Sequence, residues 1–462
     1  MASRVYRSLI HPARGRLLAS QAAAAHDVDT SSSLQPATKV SKLGNGITVA
    51  SLENYSPISH VSIVVKAGSR YESGDNLGIS HLLRNMAGMG TKESTAFGLT
   101  RTVQQSGANY TCTTSREFVT YQIDCLRDEL DNVIGLVKSA VTVPAFKPWE
   151  IKEAAASMTL DKAVLKTQLP LQVFELLHYA AFRSTLGNSI YASDSMIGRF
   201  SPEILHQYVA DHYTADRMAV VGIGVDHEHL QHLVGQFQCS PSSGISDAKA
   251  KYCGGEIRVE SKNDMVTAAV ATEGPCINGR TKRLPSKDLL PACIMQMIMG
   301  TGPFVKYSTN NKISRLGKAA GSATTAPFGI SCISGAYSDG GIFGFAATAD
   351  KSDIGKVLKA AFGEFASITK SGFSEEEISR AKNQLKAAVL MNAEDSNLVL
   401  KEMAEQLLIA GGLADITDIL AQIDAITISD VNTVSKKIIN GKPSMAAVGN
   451  LSQTPYLDEL YK

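Results

Sequence analysis

Alternating apolar and polar residues mark the first ordered part of this chain. The stretches 47–51 and 60–65 alternate in this way, which predicts half-buried β-strands, and Asn45-Gly46 before the first is a turn signal. Three more strands are predicted in the first half: 109–114 and 118–124, which form a hairpin, and the apolar stretch 218–225.

Apolar residues at three- and four-residue steps predict helices between these strands. The first lies within 78–91, where Ile79, Leu82 and Met86 share one face and two glycines, at 88 and 90, mark the end. The same spacing predicts further helices at 99–106, 130–141, 148–165, 170–182 and 202–212. Prolines stand near the start of the last three, where the missing N–H is tolerated.

The second half of the chain repeats this order of elements. The strands at 257–259 and 265–272 and the helix at 290–301 follow each other as in the first half. Met89-Gly-Thr and Met299-Gly-Thr lie 210 positions apart, and two later pairs of matching segments both lie 227 positions apart. The first of these pairs ends at Ile151 and Ile378, and the second starts at Met218 and Met445. A period this long predicts a duplicated domain of mixed strands and helices, hence the α+β class.

Composition shifts along the chain predict the domain bounds. Residues 1–26 contain four arginines and several serines and alanines, with no acidic residue before Asp27. This is typical of a mitochondrial transit peptide, and the alternative is a disordered basic tail. We expect a transit peptide at 1–35, with cleavage between Arg16 and Pro36. Two domains at 36–239 and 254–462 are then joined by a polar linker at 240–253.

Charge and cysteine usage exclude several classes of function. The 45 basic and 44 acidic side chains give no global charge that points to nucleic acid. Seven cysteines form no C-x-x-C pair, which favours reduced thiols over a disulfide framework or a cysteine zinc site. No ligand set for haem or an iron–sulfur cluster is present, so we expect no cofactor. No run of eighteen apolar residues occurs, which predicts a soluble or peripheral protein.

The helix at 78–91 carries the most informative group of polar residues. His81 and Asn85 are four residues apart and share one face, with Arg84 directly before Asn85. A histidine is a common zinc ligand, but an amide oxygen is a weak one, and a fixed cation repels the metal. The guanidinium of Arg84 has donors only and takes no proton. We therefore predict neither a catalytic nor a metal-binding role for these residues.

This helix resembles the metal helix of the pitrilysin and mitochondrial processing peptidase family, whose signature is H-x-x-E-H. In that signature two histidines bind zinc and the glutamate takes a proton from the metal-bound water. The sequence has Arg84 in place of the glutamate and Asn85 in place of the second histidine. The resemblance implies two duplicated domains, each a mixed sheet with helices on one face, which enclose a cavity. It also places Asp161 near the position of the family's third ligand.

Two non-catalytic branches of the family share this altered motif. Four segments resemble the core-protein branch of ubiquinol–cytochrome c reductase (complex III): 151–163, 300–308, 336–344 and 444–460. That resemblance implies a matrix-side subunit, peripheral to the inner mitochondrial membrane, which pairs with core protein 1. Its other partners are then cytochrome b, cytochrome c1 and the Rieske subunit, with no small-molecule substrate of its own.

Two other functions stay open at this point. One is the non-catalytic α subunit of the mitochondrial processing peptidase, which binds presequences; its long glycine-rich loop is missing from 300–308. The other is an active metalloprotease with an unusual ligand set, against which the arginine at position 84 argues. Purification separates the first two, since one travels with a membrane complex and the other with a soluble dimer.

Overall fold

The computed structural model describes residues 38–240, 247–277, 286–302 and 314–460. The predicted transit peptide at 1–35 lies outside these residues. Part of the predicted linker and most of the segment 300–308 also lie outside them. Two β-sheets with packed helices make up the described architecture.

The first sheet contains six described strands: β1 (Thr38–Lys42), β2 (Thr48–Leu52), β3 (Ile58–Val65), β4 (Asn109–Thr114), β5 (Val119–Leu126) and β6 (Met218–Ile223). Their order in the sheet is β1-β2-β6-β3-β5-β4. Strands β2 and β6 run parallel, and the other neighbouring pairs are antiparallel. This is a mixed sheet, as the α+β class requires.

The second sheet contains five described strands: β7 (Gly255–Glu260), β8 (Met265–Glu273), β9 (Phe328–Ala336), β10 (Gly341–Asp350) and β11 (Ser444–Gly449). Their order is β7-β11-β8-β10-β9, with β7 and β11 parallel and the other pairs antiparallel. This is the order of the first sheet without β1, with β7 in the place of β2. The shared topology confirms the predicted duplication.

Helices connect the strands in a similar order in both halves, and the described part of the second half has one helix more. The first half contains α1 (Ile79–Met86), α2 (Ala96–Gln105), α3 (Leu130–Thr142), α4 (Pro148–Thr167), α5 (Leu169–Phe182), α6 (Pro202–His212) and α7 (His227–Gly235). The second half contains α8 (Leu289–Met299), α9 (Arg315–Ala323), α10 (Ile354–Ser371), α11 (Glu375–Ala393), α12 (Ser396–Ala410), α13 (Ile416–Ala425), α14 (Ile428–Ile439) and α15 (Leu457–Leu460). In the described part of the chain, no helix is both long and apolar enough to cross a bilayer.

The local sequence accounts for where several helices begin. Ser201 accepts a hydrogen bond from the backbone of Ile204 at the start of α6, and Pro202 occupies the first helical position. Ser374 and Glu377 form a capping box at the start of α11. Helices α4 and α11 begin 227 positions apart, and so do α5 and α12.

One face of each sheet packs against helices of its own half. On β3, Val61, Ile63 and Val65 occupy every second position and are fully buried against helices such as α1, α3 and α4. In the second half, Phe343 and Phe345 of β10 pack with α8, α10 and α14 in the same way. These are the helix layers that the family resemblance implies.

The opposite face of each sheet is covered by a helix from the other half. Helix α12 packs Leu400, Met403 and Leu407 on the first sheet. Helix α5 packs Val173 and Leu177 on the second sheet. The family resemblance led us to expect helices on one face of each sheet, and the structure adds this reciprocal exchange. The exchange buries the apolar residues of both sheet faces, so the two halves form one packed unit.

Candidate functional site

Helix α1 begins in a tightly packed turn. Gly78, directly before the helix, has a φ of 91°, and a side chain there would overlap Ala192. The carboxylate of Glu72 accepts hydrogen bonds from the backbone N–H of Gly78 at 2.7 Å and of Ser80 at 2.9 Å. It thus satisfies two of the free N–H groups at this helix end. Ala192, which lies this close to Gly78, also contacts the ring of His81.

His81 is fully buried, and both of its ring nitrogens are engaged. The backbone N–H of Ala192 donates to Nδ1 at 3.2 Å, so this nitrogen carries no proton. The proton of the neutral ring is therefore on Nε2, which lies 3.1 Å from Oδ2 of Asp161 and donates to it. Burial lowers the pKa of His81, although the Asp161 carboxylate opposes this effect. The ring is neutral near pH 7.

One carboxylate oxygen of Asp161, on α4, accepts hydrogen bonds from three side chains of α1. Besides His81, Nη2 of Arg84 and Nδ2 of Asn85 donate to Oδ2, the latter from 3.3 Å. Partial burial opposes ionisation, but the hydrogen bond from His81 and the charge of Arg84 hold the pKa of Asp161 at about 2. We call these four residues the carboxylate hub. It ties α1 to α4 across about eighty positions of sequence.

Three further residues border the hub. The ring of Tyr191 meets His81 edge-on, with centroids 5.4 Å apart, and the guanidinium of Arg84 lies 5.8 Å from the same ring. Lys162, next to Asp161, pairs with Asp194 at 2.5 Å. Sequence reasoning missed Tyr191 and Lys162. The stretch 189–199, which contains Tyr191, shows no periodicity, so no signal in the sequence pointed to Tyr191.

The hub does not fit the zinc ion that the family's signature implies. A histidine binds zinc through an unprotonated nitrogen, yet Nε2 of His81 bears its proton because Ala192 donates to Nδ1. Arg84 lies where the signature has a glutamate, and its cation bonds to the one remaining carboxylate. Within the described residues, no group of three or more histidine, cysteine or acidic side chains is arranged to hold a metal ion. The arrangement fits a structural contact between two helices.

Comparison with known proteins agrees with the fold. The model of the insulinase family, peptidase family M16, matches residues 48–194, and that of the peptidase M16 inactive domain matches residues 199–385. The chain is 38% identical over 420 residues to human "Cytochrome b-c1 complex subunit 2, mitochondrial", covering 91% of each chain. The mouse protein of that name is 36% identical, over 92% of this chain and 93% of its own.

A second group of relatives carries another name. The potato (Solanum tuberosum) "Mitochondrial-processing peptidase subunit alpha" is 28% identical over 432 residues, which cover 92% of this chain and 84% of that protein. Two matching family models and relatives above 30% identity thus span most of the sequence. The chain belongs to the insulinase family of peptidases, peptidase family M16.

Proposed function

We propose that this chain is a structural and assembly subunit of ubiquinol–cytochrome c reductase and corresponds to core protein 2. The observation that carries the proposal is the identity of 38% to the human subunit of that complex over 91% of both chains. The potato processing-peptidase subunit reaches 28% over a similar length. The subunit supports electron transport from ubiquinol to cytochrome c, and carries no redox centre itself.

In this function the chain is a catalytically inactive member of its peptidase family. In the carboxylate hub, hydrogen bonds among side chains take the place of metal ligands. Its single carboxylate is ionised and accepts three hydrogen bonds. We therefore assign no catalytic or metal role to His81, Arg84, Asn85 or Asp161. The domains at 36–239 and 254–462, joined at 240–253, serve as binding surfaces for other subunits.

In this proposal, the chain lies on the matrix side of the inner mitochondrial membrane as a peripheral subunit. The basic, acid-free residues 1–26 support import into mitochondria. Core protein 1 is the pairing partner, and cytochrome b, cytochrome c1 and the Rieske subunit complete the surroundings. The human and mouse relatives named as cytochrome b-c1 subunits support this assignment.

The second candidate is the α subunit of the mitochondrial processing peptidase. It is supported by the 28% identity to the potato subunit over 92% of this chain, which is lower than the 38% to the human cytochrome b-c1 subunit. Gentle detergent extraction of mitochondria, native separation and immunodetection of the chain distinguish the two. We expect co-migration with cytochrome b and cytochrome c1. Migration as a soluble heterodimer that binds presequence peptides contradicts the proposal and establishes the alternative.

The inactive site has its own test. The double variant Arg84→Glu with Asn85→His restores the H-x-x-E-H pattern, with the single variant Asn85→His as control. We expect no zinc-dependent peptidase activity and no stoichiometric zinc, because the N–H of Ala192 still faces Nδ1 of His81. Zinc bound at one ion per chain, measured by atomic emission, contradicts this reading of the histidine.

A further inference from the structure

The turn between β9 and β10 projects from the second half into buried polar groups of the first. The four residues 337–340 form a turn closed by a hydrogen bond from the N–H of Tyr337 to the carbonyl of Gly340, at 2.8 Å. Three successive side chains, of Tyr337, Ser338 and Asp339, bond to residues of the first half. We call residues 337–340 the hairpin latch.

The guanidinium of Arg70 is the centre of these contacts. Arg70 is 5% exposed, and its Nη1 donates to Glu117 at 2.8 Å and to Asp339 at 2.6 Å. Its Nη2 donates to the second oxygen of Asp339 and to the carbonyl of Ala248 at 2.8 Å. Burial disfavours the charged form, but the carboxylates of Asp339 and Glu117 raise the pKa of Arg70. One buried cation is therefore shared by a carboxylate from each half.

The two carboxylates also bind backbone groups. Glu117, in the turn between β4 and β5, accepts from the N–H of Ser338 at 3.1 Å and from its hydroxyl at 2.5 Å. Asp339 accepts from the N–H of Ala250 at 2.9 Å. Each carboxylate thus holds an N–H group of another segment in addition to Arg70. Hydrogen bonds to ionised groups are the stronger kind and depend on angle as well as distance.

Tyr337 joins the latch to the exchanged helix α5. His178 on α5 is fully buried, and its Nδ1 lies 2.8 Å from the carbonyl of Phe174, which can only accept. The proton of the ring is therefore on Nδ1, so Nε2 accepts from the hydroxyl of Tyr337 at 2.7 Å. Burial and the nearby charge of Arg116 lower the pKa of His178, which keeps the ring neutral. This contact has a defined donor and acceptor.

We propose that the hairpin latch fixes the two halves in one relative orientation, so that the chain acts as a rigid frame and does not open between its sheets. The layers beneath α5 and α12 are apolar, and apolar contact is non-directional, so these layers contribute no directional contact between the halves. At a third place, the latch adds directional, partly buried hydrogen bonds and an ion pair between the halves, which favour one arrangement. This inference goes beyond the scaffold function, because it concerns motion within the chain.

Hydrogen–deuterium exchange of the full chain, purified with its accompanying subunits, tests the latch. In the wild type, we expect the amides of Ser338 and Ala250 to exchange at least tenfold more slowly than amides of an exposed turn, because both donate to carboxylates. In Asp339→Asn, both should exchange at least tenfold faster. The amides of Gly68 and Arg70, across the interface in the first half, should accelerate as well.

The matched control is Asp264→Asn, also in the second half. It removes a carboxylate that pairs with Lys351 at 2.6 Å on the surface, and exchange at the latch should stay unchanged. Acceleration in Asp339→Asn that is confined to 337–340 and Ala250 overturns the proposal, because the turn then frays without affecting the first half. Fast exchange of Ser338 and Ala250 in the wild type overturns it without any variant.

Discussion

Removal of the Asp161 charge is the sharpest test of the carboxylate hub, because all three side-chain hydrogen bonds from α1 end on this residue. The pKa of Asp161 in the folded chain is about 2, below its ordinary value of 3.8. A carboxylate with a lowered pKa stabilises the fold in its ionised form. This difference corresponds to about 2 kcal/mol in the free energy of unfolding. Because 28% of the side chain is exposed, screening reduces the expected value to about 1–2 kcal/mol.

The variant Asp161→Asn keeps the size of the side chain and removes its charge. We expect the free energy of unfolding at pH 7, measured by urea denaturation with circular dichroism, to fall by about 1–2 kcal/mol. The control is Asp194→Asn, whose carboxylate pairs with Lys162 but is 78% exposed. That variant should change the free energy of unfolding by less than about 0.5 kcal/mol. Equal losses in the two variants refute the special role of Asp161.

The pH dependence has a defined sign. The stabilisation by Asp161 is present above the pKa of the unfolded chain, near 4, and is lost as pH falls towards 2. The difference between the wild type and Asp161→Asn should therefore shrink to about half by pH 3. A difference that is absent at pH 7, or that grows on acidification, contradicts the reasoning.

Three other substitutions test the remaining structure. Gly78→Ala forces a side chain into a left-handed backbone position and against a neighbouring backbone, so we expect the free energy of unfolding, measured by thermal denaturation, to fall by about 3 kcal/mol. A side chain at Gly88 faces open space, so Gly88→Ala should lower it by less than about 1 kcal/mol. Leu177→Ala removes a fully buried contact of the exchanged helix α5 and should cost about 2–5 kcal/mol; a similar cost for Leu160→Ala, 65% exposed, contradicts this. Arg258→Ala removes three hydrogen bonds to backbone carbonyls of residues 451–455, and carboxypeptidase should then trim the C-terminal end faster than in the wild type; unchanged trimming refutes this role.

Much of the fold was predictable because its signals are local. The alternation around Val61 and Ile63 and the helical spacing of Ile79 and Leu82 recur as a buried strand and a buried helix. The offset of 227 positions between Met218 and Met445 reappears as the equivalent positions of β6 and β11 in their sheets. These patterns depend only on which face of an element is apolar, and that is visible in sequence.

The candidate site was predictable in part. His81, Arg84 and Asn85 share a helix face, so their proximity follows from helical spacing. Asp161 was placed near them by resemblance alone, and the structure brings its carboxylate within hydrogen-bonding distance of all three. Ala192 was invisible, because its contact with His81 uses a backbone N–H and spans 111 positions. A backbone donor leaves no trace in the identity of its residue.

The sequence by itself determined many of the elements, the duplication and the departure from the H-x-x-E-H signature. These follow from periodicity, from repeated segments and from the chemistry of arginine and asparagine at positions 84 and 85. The tertiary structure alone decided that α5 and α12 cover each other's sheets, which nitrogen of His81 carries its proton, and that Arg70 is shared by Glu117 and Asp339. The reason is physical: these contacts join segments far apart in sequence. Their partners are selected by how whole layers pack, and no local pattern encodes that.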